Sequence, residues 1–478
     1  MLRPWKIELQ IDKSLQKPIY LQIADAVIHD IYYGRLKFGD VLPGSRNMAK
    51  VLNVNRNTVV EAYDVLLSEE WVVSKERKGI FVSDKLPDLQ NQVGKDEKVL
   101  ESEIIHNSNI YVDFDDGSPD TKLAPIAELA RAHRQIFNRK GKWQMMGYSD
   151  EQGDVEFRVT LAQMLNHERG MFANHEDIFI TRGSQMALYL AAHCFLEKGD
   201  KIIVENPGFK SAWDVFENAE TDIIPVNVDR EGIEVDEIRK LLKNGEKIKA
   251  VYVTPHHQYP TTVTLSLKRR LELISLSNEY GITIIEDDYN NEFHFGYRPL
   301  FPMSSFQQLK NYIYIGSMSK VVAPALRIGY LVTKDKDLLK KIRKLRRLID
   351  VQGDNIMEQA VLELINDGTI KRHIKKVTAH YKAKRDKMYL LLDKHLKDMA
   401  DYTLPKGGLS FWLRPKVEIN WEDFIDLLLK QNIKIIHPET YSFDRKIRGF
   451  RISYGSTPEN KMEDYITIIA DIFNQLKQ

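Results

Sequence analysis

The chain has 478 residues and a net charge of +1, with 43% hydrophobic and 29% charged residues. This composition is typical of a folded globular protein, and the length predicts more than one domain. Because basic and acidic residues nearly cancel, the overall charge gives no argument for nucleic acid binding, and a DNA-binding surface would have to be local. The single cysteine, Cys194, excludes an internal disulfide and, without a neighbouring Cys/His cluster, a zinc finger.

Neither a membrane span nor a secretory signal is expected. No apolar run reaches the roughly 20 residues that a spanning helix needs. The N-terminal stretch MLRPWKIELQIDKS lacks an apolar core followed by a cleavage site. The sequence therefore predicts a cytoplasmic protein.

The first 84 residues begin with helical patterns. Residues 18–33 carry apolar side chains at every fourth position after Pro18, which predicts a first helix. Ser45 is expected to cap a short second helix that turns three apolar residues inward, namely Met48, Val51 and Leu52.

A tight turn then leads to a third helix, capped by Asn55. Its apolar residues recur with helical spacing on one face, at Val59, Ala62, Tyr63 and Leu66. The first turn leaves polar residues exposed, namely Arg56, Asn57 and Thr58. Two strands around a basic tip follow in WVVSKERKGIFVSD, so the whole predicts a helix-turn-helix with a wing. The alternative is a small helical accessory domain whose basic residues are only solvated.

Residues 85–109 are polar and contain no aromatic residue, which predicts a linker. A short exposed helix around KDEKVLESEI is the alternative. Beyond the linker, short apolar runs alternate with helix-length segments, and these runs are DIFITRG, KIIVENPG, AVYVTP, ITIIEDD, YIYIGS and RIGYLV. This alternation predicts an α/β domain with a mainly parallel sheet over residues 110–478.

Several of these predicted strands end in polar residues with useful chemistry. TRGSQ opens a helix with Ser184 and Gln185, where free amides and the helix dipole favour a phosphate. Another strand ends at Asp287, and a third ends in the stretch that carries Lys320. A phosphate cradle, a carboxylate and an amine at one sheet edge predict a pyridoxal phosphate (PLP) site, in which the lysine forms a Schiff base.

The stretch LPGSRNMAKVLNVNRNTVVEAYDVLLSEEWV resembles the GntR family of winged-helix regulators. This resemblance implies double-stranded DNA as a partner. It also implies contacts to phosphates or bases from Arg46 and from the first turn of the third helix, while Lys78 and Gly79 of the wing would enter the minor groove. The DNA-binding candidates are Arg46, Arg56, Asn57, Thr58, Lys78 and Gly79.

From about residue 111 onward, GYSDEQG, TRGSQMAL, EDDYNNEF, SMSKVVAPALRIGY and RISYG resemble fold type I aminotransferases, and the fused arrangement is similar to the MocR family of regulators. The resemblance implies a large domain with a mainly parallel sheet and a smaller α+β domain. It also implies a homodimer in which Tyr148 reaches the cofactor phosphate of the partner subunit's site.

The same resemblance implies the role of each site residue. Lys320 would hold PLP, Asp287 would pair with the pyridine nitrogen, and Tyr289 with the ring oxygen. Phe209 would stack on the ring, with a core aromatic residue as the alternative. The phosphate would be bound by Ser184, Gln185, Ser317 and Arg327.

Arg451 would bind a ligand carboxylate, with a structural salt bridge as the alternative. One departure stands out, because YPTT at residues 259–262 replaces the aminotransferase pattern Asn-Pro-x-Gly. At most partial transamination is therefore expected. The leading hypothesis is a transcription regulator that senses PLP or an amino compound at Lys320. The alternatives are an active aminotransferase with an accessory helix-turn-helix domain and a cofactor-binding scaffold that contacts only proteins.

Overall fold

The computed structural model describes residues 11, 17–75, 78–84, 112–115, 117–138, 143, 146–290, 292–296, 300–444 and 449–476. The chain divides into two compact units, residues 1–105 and residues 106–478. The predicted linker, residues 85–109, lies outside the described residues, so the domain limits 1–84 and 110–478 remain predictions.

The N-terminal unit contains three helices and a two-stranded antiparallel hairpin in its described part: α1 (Ile19–Tyr32), α2 (Ser45–Leu52), α3 (Arg56–Ser68), β1 (Val72–Lys75) and β2 (Gly79–Val82). The predicted inner face of α3 is buried, and the Asn55 side chain accepts a hydrogen bond from the Asn57 amide at 2.9 Å. The helix-turn-helix with a wing is therefore confirmed in its local structure.

Two details of α2 were wrong in the sequence analysis. Gly44 occupies the N-cap position and Ser45 is the first helical residue. Val51 is 63% exposed, while Ala49 is buried beside Met48. The small Ala49 packs closely in the unit's core, and Val51 lies on the opposite side of the helix, because residues two apart do not share a helix face.

The C-terminal unit is built on a sheet of eight strands. The strands are β4 (Ile178–Thr181), β5 (Lys201–Asn206), β6 (Asp222–Asp229), β7 (Gly232–Ile233), β8 (Ile248–Val253), β9 (Thr283–Asp288), β10 (Tyr312–Ser317) and β11 (Gly329–Val332). Their order in the sheet is β4-β11-β10-β9-β8-β5-β6-β7. Strands β10, β9, β8, β5 and β6 are parallel to their neighbours in that series, whereas β11 and β7 pair antiparallel. The mainly parallel sheet is confirmed.

Helices cover both faces of this sheet, as buried parallel strands require. They are α4 (Ile126–Asn138), α5 (Val155–Arg169), α6 (Ser184–Phe195), α7 (Lys210–Asn218), α8 (Val235–Lys243), α9 (Leu267–Tyr280), α10 (Lys336–Ile349) and α11 (Asn355–Asn366). Successive residues of β5 pack into hydrophobic cores on opposite faces of the sheet. Ile203 packs on one side, with α5 and α9, while Ile202 and Val204 pack on the other, with α6 and α7.

The smaller subdomain has its own hydrophobic core. It contains the antiparallel sheet β12-β13-β15 and the parallel pair β14-β3. Its elements are β3 (Val112–Phe114), α12 (Thr369–His395), β12 (Ala400–Tyr402), β13 (Ser410–Pro415), α13 (Trp421–Lys430), β14 (Ile433–Ile435), β15 (Phe450–Ser453) and α14 (Met462–Leu476). Among the helices that the structure describes, none is long and apolar enough to cross a membrane.

Candidate cofactor and DNA-binding sites

Asp287 lies near the carboxyl end of β9, where it is 5% exposed. One carboxylate oxygen, Oδ2, accepts a hydrogen bond from the Tyr252 hydroxyl at 2.9 Å, and Oδ1 has no hydrogen-bond partner among the described residues. Burial raises the pKa of Asp287 to about 7. A protonated ring nitrogen could donate a hydrogen bond to this buried oxygen. Its positive charge would favour the ionised form of the Asp287 carboxyl group.

The next residue, Asp288, has the opposite electrostatic environment because successive strand residues point to opposite faces. Its carboxylate is paired with Arg169 and accepts a hydrogen bond from the Tyr314 hydroxyl at 2.7 Å. Burial alone would raise the pKa of Asp288, but its interactions with Arg169 and His256 lower it below its ordinary value. Asp288 Oδ1 lies 3.0 Å from His256 Nδ1, so both oxygens of this carboxylate face other side chains. Asp288 is therefore a structural partner of Arg169, and Asp287 is the carboxyl group whose Oδ1 is available to a ligand.

Lys320 follows β10 in a turn and is partly buried. Its Nζ donates a hydrogen bond to the Gly117 carbonyl at 3.1 Å. Gly117 also lies beside Arg451, since a Cβ added to Gly117 would lie 3.4 Å from Arg451 Nη2. The structure thus brings the predicted cofactor lysine and the predicted carboxylate-binding arginine to the same glycine.

The predicted phosphate-binding residues gather where β4 and β10 end and where the antiparallel β11 begins. Ser317, the last residue of β10, pairs with Gly329, the first residue of β11, and Gly329 pairs with Thr181 at the end of β4. The loop after β4 continues into α6, whose first residue is Ser184. Free amides at such a helix start favour an anion.

Arg327 lies against this loop and donates a hydrogen bond to the Arg182 carbonyl at 2.9 Å. Gly183 has a φ of +86°, which favours glycine, and a Cβ at this position would lie 2.5 Å from Arg327 Nη2, so the guanidinium approaches the loop closely. The Ser317 hydroxyl accepts a hydrogen bond from the Ser319 amide at 3.1 Å, and Gln185 donates to the Ser211 carbonyl at 3.0 Å. Arg327 therefore lies against Arg182 and Gly183, the two residues before Ser184, whereas the Gln185 amide group is directed to α7.

The aromatic candidates have different environments. Phe209 is half-buried before α7, and its ring packs edge-on against Tyr259 with centroids 5.0 Å apart. The Tyr289 hydroxyl donates to the His257 carbonyl at 2.8 Å. Tyr148 is 90% exposed.

Arg451 lies on β15 and is 2% exposed. Its Nη1 donates to the Pro260 carbonyl at 3.2 Å, and its guanidinium carbon lies 4.6 Å from the centre of the Tyr259 ring. These contacts come from the segment that departs from the aminotransferase pattern.

The DNA-binding candidates all lie in the N-terminal unit. Arg46, Arg56 and Asn57 are exposed, and Thr58 is partly buried on the first turn of α3. Arg56 Nε donates to the Ser45 hydroxyl at 3.3 Å, which ties the start of α3 to α2. Lys78 and Gly79 lie at the hairpin, where the Lys78 amide donates to the Lys75 carbonyl at 2.9 Å.

Sequence reasoning did not identify three residues that contact the predicted site. The Tyr252 hydroxyl donates a hydrogen bond to Asp287, and the Gly117 carbonyl accepts one from Lys320. The Tyr259 ring makes a cation–π contact with Arg451. A tyrosine one residue before the end of β8 was the only signal for Tyr252. The contacts of Gly117 and Tyr259 join distant chain segments and leave no local pattern.

These side chains fit pyridoxal phosphate. Asp287 would pair with the ring nitrogen through its available oxygen, Lys320 would supply the amine for the aldehyde, and the loop of Gly183 and Ser184 with Arg327 would suit the phosphate. When bound, PLP supplies an aldehyde and an electron-accepting ring. The part of these residues would be to keep the ring nitrogen protonated, to present an amine and to neutralise the phosphate.

Residues 109–469 match the aminotransferase class I and II family, and residues 19–82 match the gntR family of bacterial regulatory proteins. The chain belongs to the aminotransferase class I and II family and carries an N-terminal GntR domain. The combination of these two domains supports a PLP-dependent transcription regulator.

Two relatives match along most of the chain. The uncharacterized HTH-type transcriptional regulator YdeL of Bacillus subtilis is 27% identical over 93% of this chain and 94% of that protein. The probable rhizopine catabolism regulatory protein MocR of Rhizobium meliloti is 26% identical over 85% of this chain and 83% of that protein. The resemblance to the MocR family is confirmed.

The C-terminal unit is similar to solved aminotransferases. The crystal structure of Pyrococcus horikoshii kynurenine aminotransferase in complex with PMP matches with a TM-score of 0.72 and 26% identity, covering 77% of this chain and 92% of that chain. This match confirms the predicted fold class and, with the family, supports pyridoxal phosphate as the cofactor.

Proposed function

We propose that this protein is a transcription regulator that binds DNA through residues 1–84 and senses PLP or an amino compound at Lys320. The two matched families and the regulator names of relatives that span nearly the whole chain support this function. The proposed cofactor contacts are those of Lys320, Asp287 and the phosphate loop described above.

The hydrogen bond from Lys320 to Gly117 carries the sensing part of the proposal. Gly117 belongs to a segment that begins with β3, shortly after the predicted linker. Asp115 Oδ1 accepts from the amides of Gly117 and Ser118 at 2.9 and 2.8 Å, so this segment has a defined turn. A ligand that reacts with the Lys320 amine would take this hydrogen-bond donor away from Gly117. Ligand chemistry at Lys320 would therefore be communicated to the chain segment that leads to the DNA-binding unit.

Mass spectrometry after borohydride reduction tests the proposed function first. We expect the peptide that contains Lys320 to carry a pyridoxyl phosphate group in protein supplied with PLP. Lys320→Ala should abolish this modification, and neighbouring lysines such as Lys334 should remain unmodified. An unmodified Lys320 in protein that has been supplied with PLP would contradict the proposal.

The DNA-binding part predicts a loss of affinity for Arg56→Ala. An arginine at the start of a recognition helix contributes about 1–3 kcal/mol when it contacts a base edge, so we expect binding to a DNA site selected from a random pool to weaken about 5- to 150-fold. Fluorescence anisotropy at fixed salt measures this change. Lys243→Ala removes the same charge from α8 and serves as the control. Equal DNA affinities for wild type and Arg56→Ala would contradict the proposed contact between Arg56 and DNA.

The proposed function includes a homodimer. Large apolar side chains are exposed in two segments that are joined by a hydrogen bond from the Ser149 amide to Gln352 Oε1 at 2.5 Å. This apolar patch consists of Met146, Tyr148, Leu348, Ile349 and Val351. An exposed patch of this kind suits a protein interface, and a second copy of the chain would carry Tyr148 to the neighbouring cofactor site.

An active aminotransferase is the second candidate, and it is favoured by the combination of Lys320 with the available oxygen of Asp287. Sustained conversion of an amino acid and a keto acid, with both half-reactions complete, would support this candidate. A ligand-dependent change in DNA affinity without such turnover would support the regulator.

A further inference from the structure

Tyr259 lies at the centre of the aromatic residues beside the candidate cofactor site. It is 5% exposed, and its ring centre is 5.0 Å from that of Phe209 and 6.5 Å from that of Tyr289. The Arg451 guanidinium lies over the same ring at 4.6 Å. One side chain therefore contacts the proposed ring-binding residues and the proposed carboxylate-binding residue.

A buried network fixes the backbone at Tyr259. Its amide donates to the Thr254 hydroxyl at 3.0 Å, and its carbonyl accepts from Gln258 Nε2 at 2.5 Å. The Thr254 hydroxyl and Gln258 Nε2 in turn donate to Glu205 Oε2, at 2.7 and 3.4 Å. A ring mounted on such a network is held in one place, which suits a residue that orients another side chain.

Two contacts hold the Arg451 guanidinium. Its carbon lies over the Tyr259 ring, 4.6 Å from the ring centre, and Nη1 donates to the Pro260 carbonyl at 3.2 Å. A carboxylate binds a guanidinium edge-on through its N–H groups, whereas an aromatic ring attracts the cation through the ring face, so the two partners make different kinds of contact. The Tyr259 ring therefore helps to hold the guanidinium in place and offsets part of the cost of burying its charge.

We infer that Tyr259 is a positioning residue for Arg451 and sets the site's preference for amines that carry a carboxylate. This inference rests on the proposed function and assigns to Tyr259 a part in the selectivity of that site. Tyr259 stands where aminotransferases are expected to carry an asparagine. An asparagine side chain is shorter and has no aromatic face for a buried guanidinium.

Calorimetry on the cofactor-free, full-length protein tests this inference with two probes. N-(5'-phosphopyridoxyl)-L-alanine carries the carboxylate, and pyridoxamine 5'-phosphate lacks it. We expect wild type to prefer the first probe. Tyr259→Leu should lower this preference about tenfold, because the buried guanidinium loses the aromatic ring that holds it in place. Tyr259→Phe keeps the ring and should retain the preference within about threefold.

A double-mutant cycle separates positioning from general damage to the site. Arg451→Met should abolish the preference, and adding Tyr259→Leu to it should have no further effect on the preference. Tyr259→Met is measured in parallel, so that the test does not depend on one variant folding. Equal weakening of both probes in the Tyr259 variants would overturn the inference, as would an unchanged preference. If wild type binds neither probe, the proposed function itself fails, which is a distinct result.

Discussion

Asp287→Asn is expected to bind PLP at least about 30-fold more weakly than wild type. Removing one partner of a buried charge pair costs about 2–5 kcal/mol, which corresponds to roughly 30- to 5,000-fold in affinity. The neutral amide keeps the shape of the side chain and can still accept the Tyr252 hydrogen bond. A loss of PLP affinity would therefore be due to the missing negative charge of the carboxylate. Titration of cofactor-free protein with PLP, followed by absorbance, measures the change.

The same substitution is expected to stabilise the cofactor-free protein at pH 8. Burial raises the pKa of Asp287 in the folded protein to about 7 from a model-peptide value of 3.8. Between these values the folded state holds a proton that the unfolded state has released, so this group makes stability fall as pH rises from about 4 to 7. Asparagine does not titrate. The advantage of the variant should therefore be absent near pH 4, grow towards pH 7 and stay constant above it.

Thermal unfolding at pH 5, 6 and 8 measures this second effect, and we expect an increase in Tm of about 2 °C or more at pH 8. Asp222→Asn removes an exposed carboxylate and should change neither Tm nor PLP affinity appreciably. An Asp287→Asn protein with wild-type PLP affinity would show that this carboxylate does not pair with the ring nitrogen.

Leu348→Asp is expected to convert the proposed homodimer into a monomer. Leu348 is 84% exposed in the apolar patch, and an unpaired carboxylate buried there would cost several kcal/mol. A two-fold interface repeats the substitution on both subunits, so the cost counts twice. Light scattering at micromolar concentration should give the mass of one 55.6 kDa chain for the variant and twice that mass for wild type.

Leu390→Asp is the matched control, because Leu390 is 68% exposed on α12 and lies outside the apolar patch. It should leave the dimer intact. Tyr148→Phe should also leave the dimer intact but should weaken PLP binding, since it removes the hydroxyl that is proposed to reach the partner subunit's phosphate. A monomeric wild type, or a dimeric Leu348→Asp, would contradict the proposed interface.

Strand ends were predictable because parallel strands run in one direction and their carboxyl ends meet at one sheet edge. The apolar run ITIIEDD therefore placed Asp287 correctly, and TRGSQ placed Ser184 at the start of a helix. The helix cap at Asn55 was also predictable, because its side chain accepts a hydrogen bond from an amide only two residues away in the chain. In contrast, the inward face of α2 depended on packing, and the exposure of Val51 was not predicted.

Contacts between distant segments had no sequence signal. Lys320 and Gly117 are 203 positions apart, and Arg451 and Pro260 are 191 apart. The departure at YPTT was visible in the sequence, but its contact with Arg451 was not. Such contacts depend on how the smaller subdomain packs beside the sheet, which periodicity does not encode.

The sequence by itself determined the winged helix-turn-helix pattern, the alternation of strands and helices, and the residue types at the ends of the strands. These features follow from short-range rules of helix capping, side-chain period and strand direction. Only the tertiary structure decided which oxygen of Asp287 stays available, which carbonyl holds Lys320 and which ring covers Arg451. Each of those outcomes is a contact between side chains or backbone from different elements, and packing of the elements sets the distances.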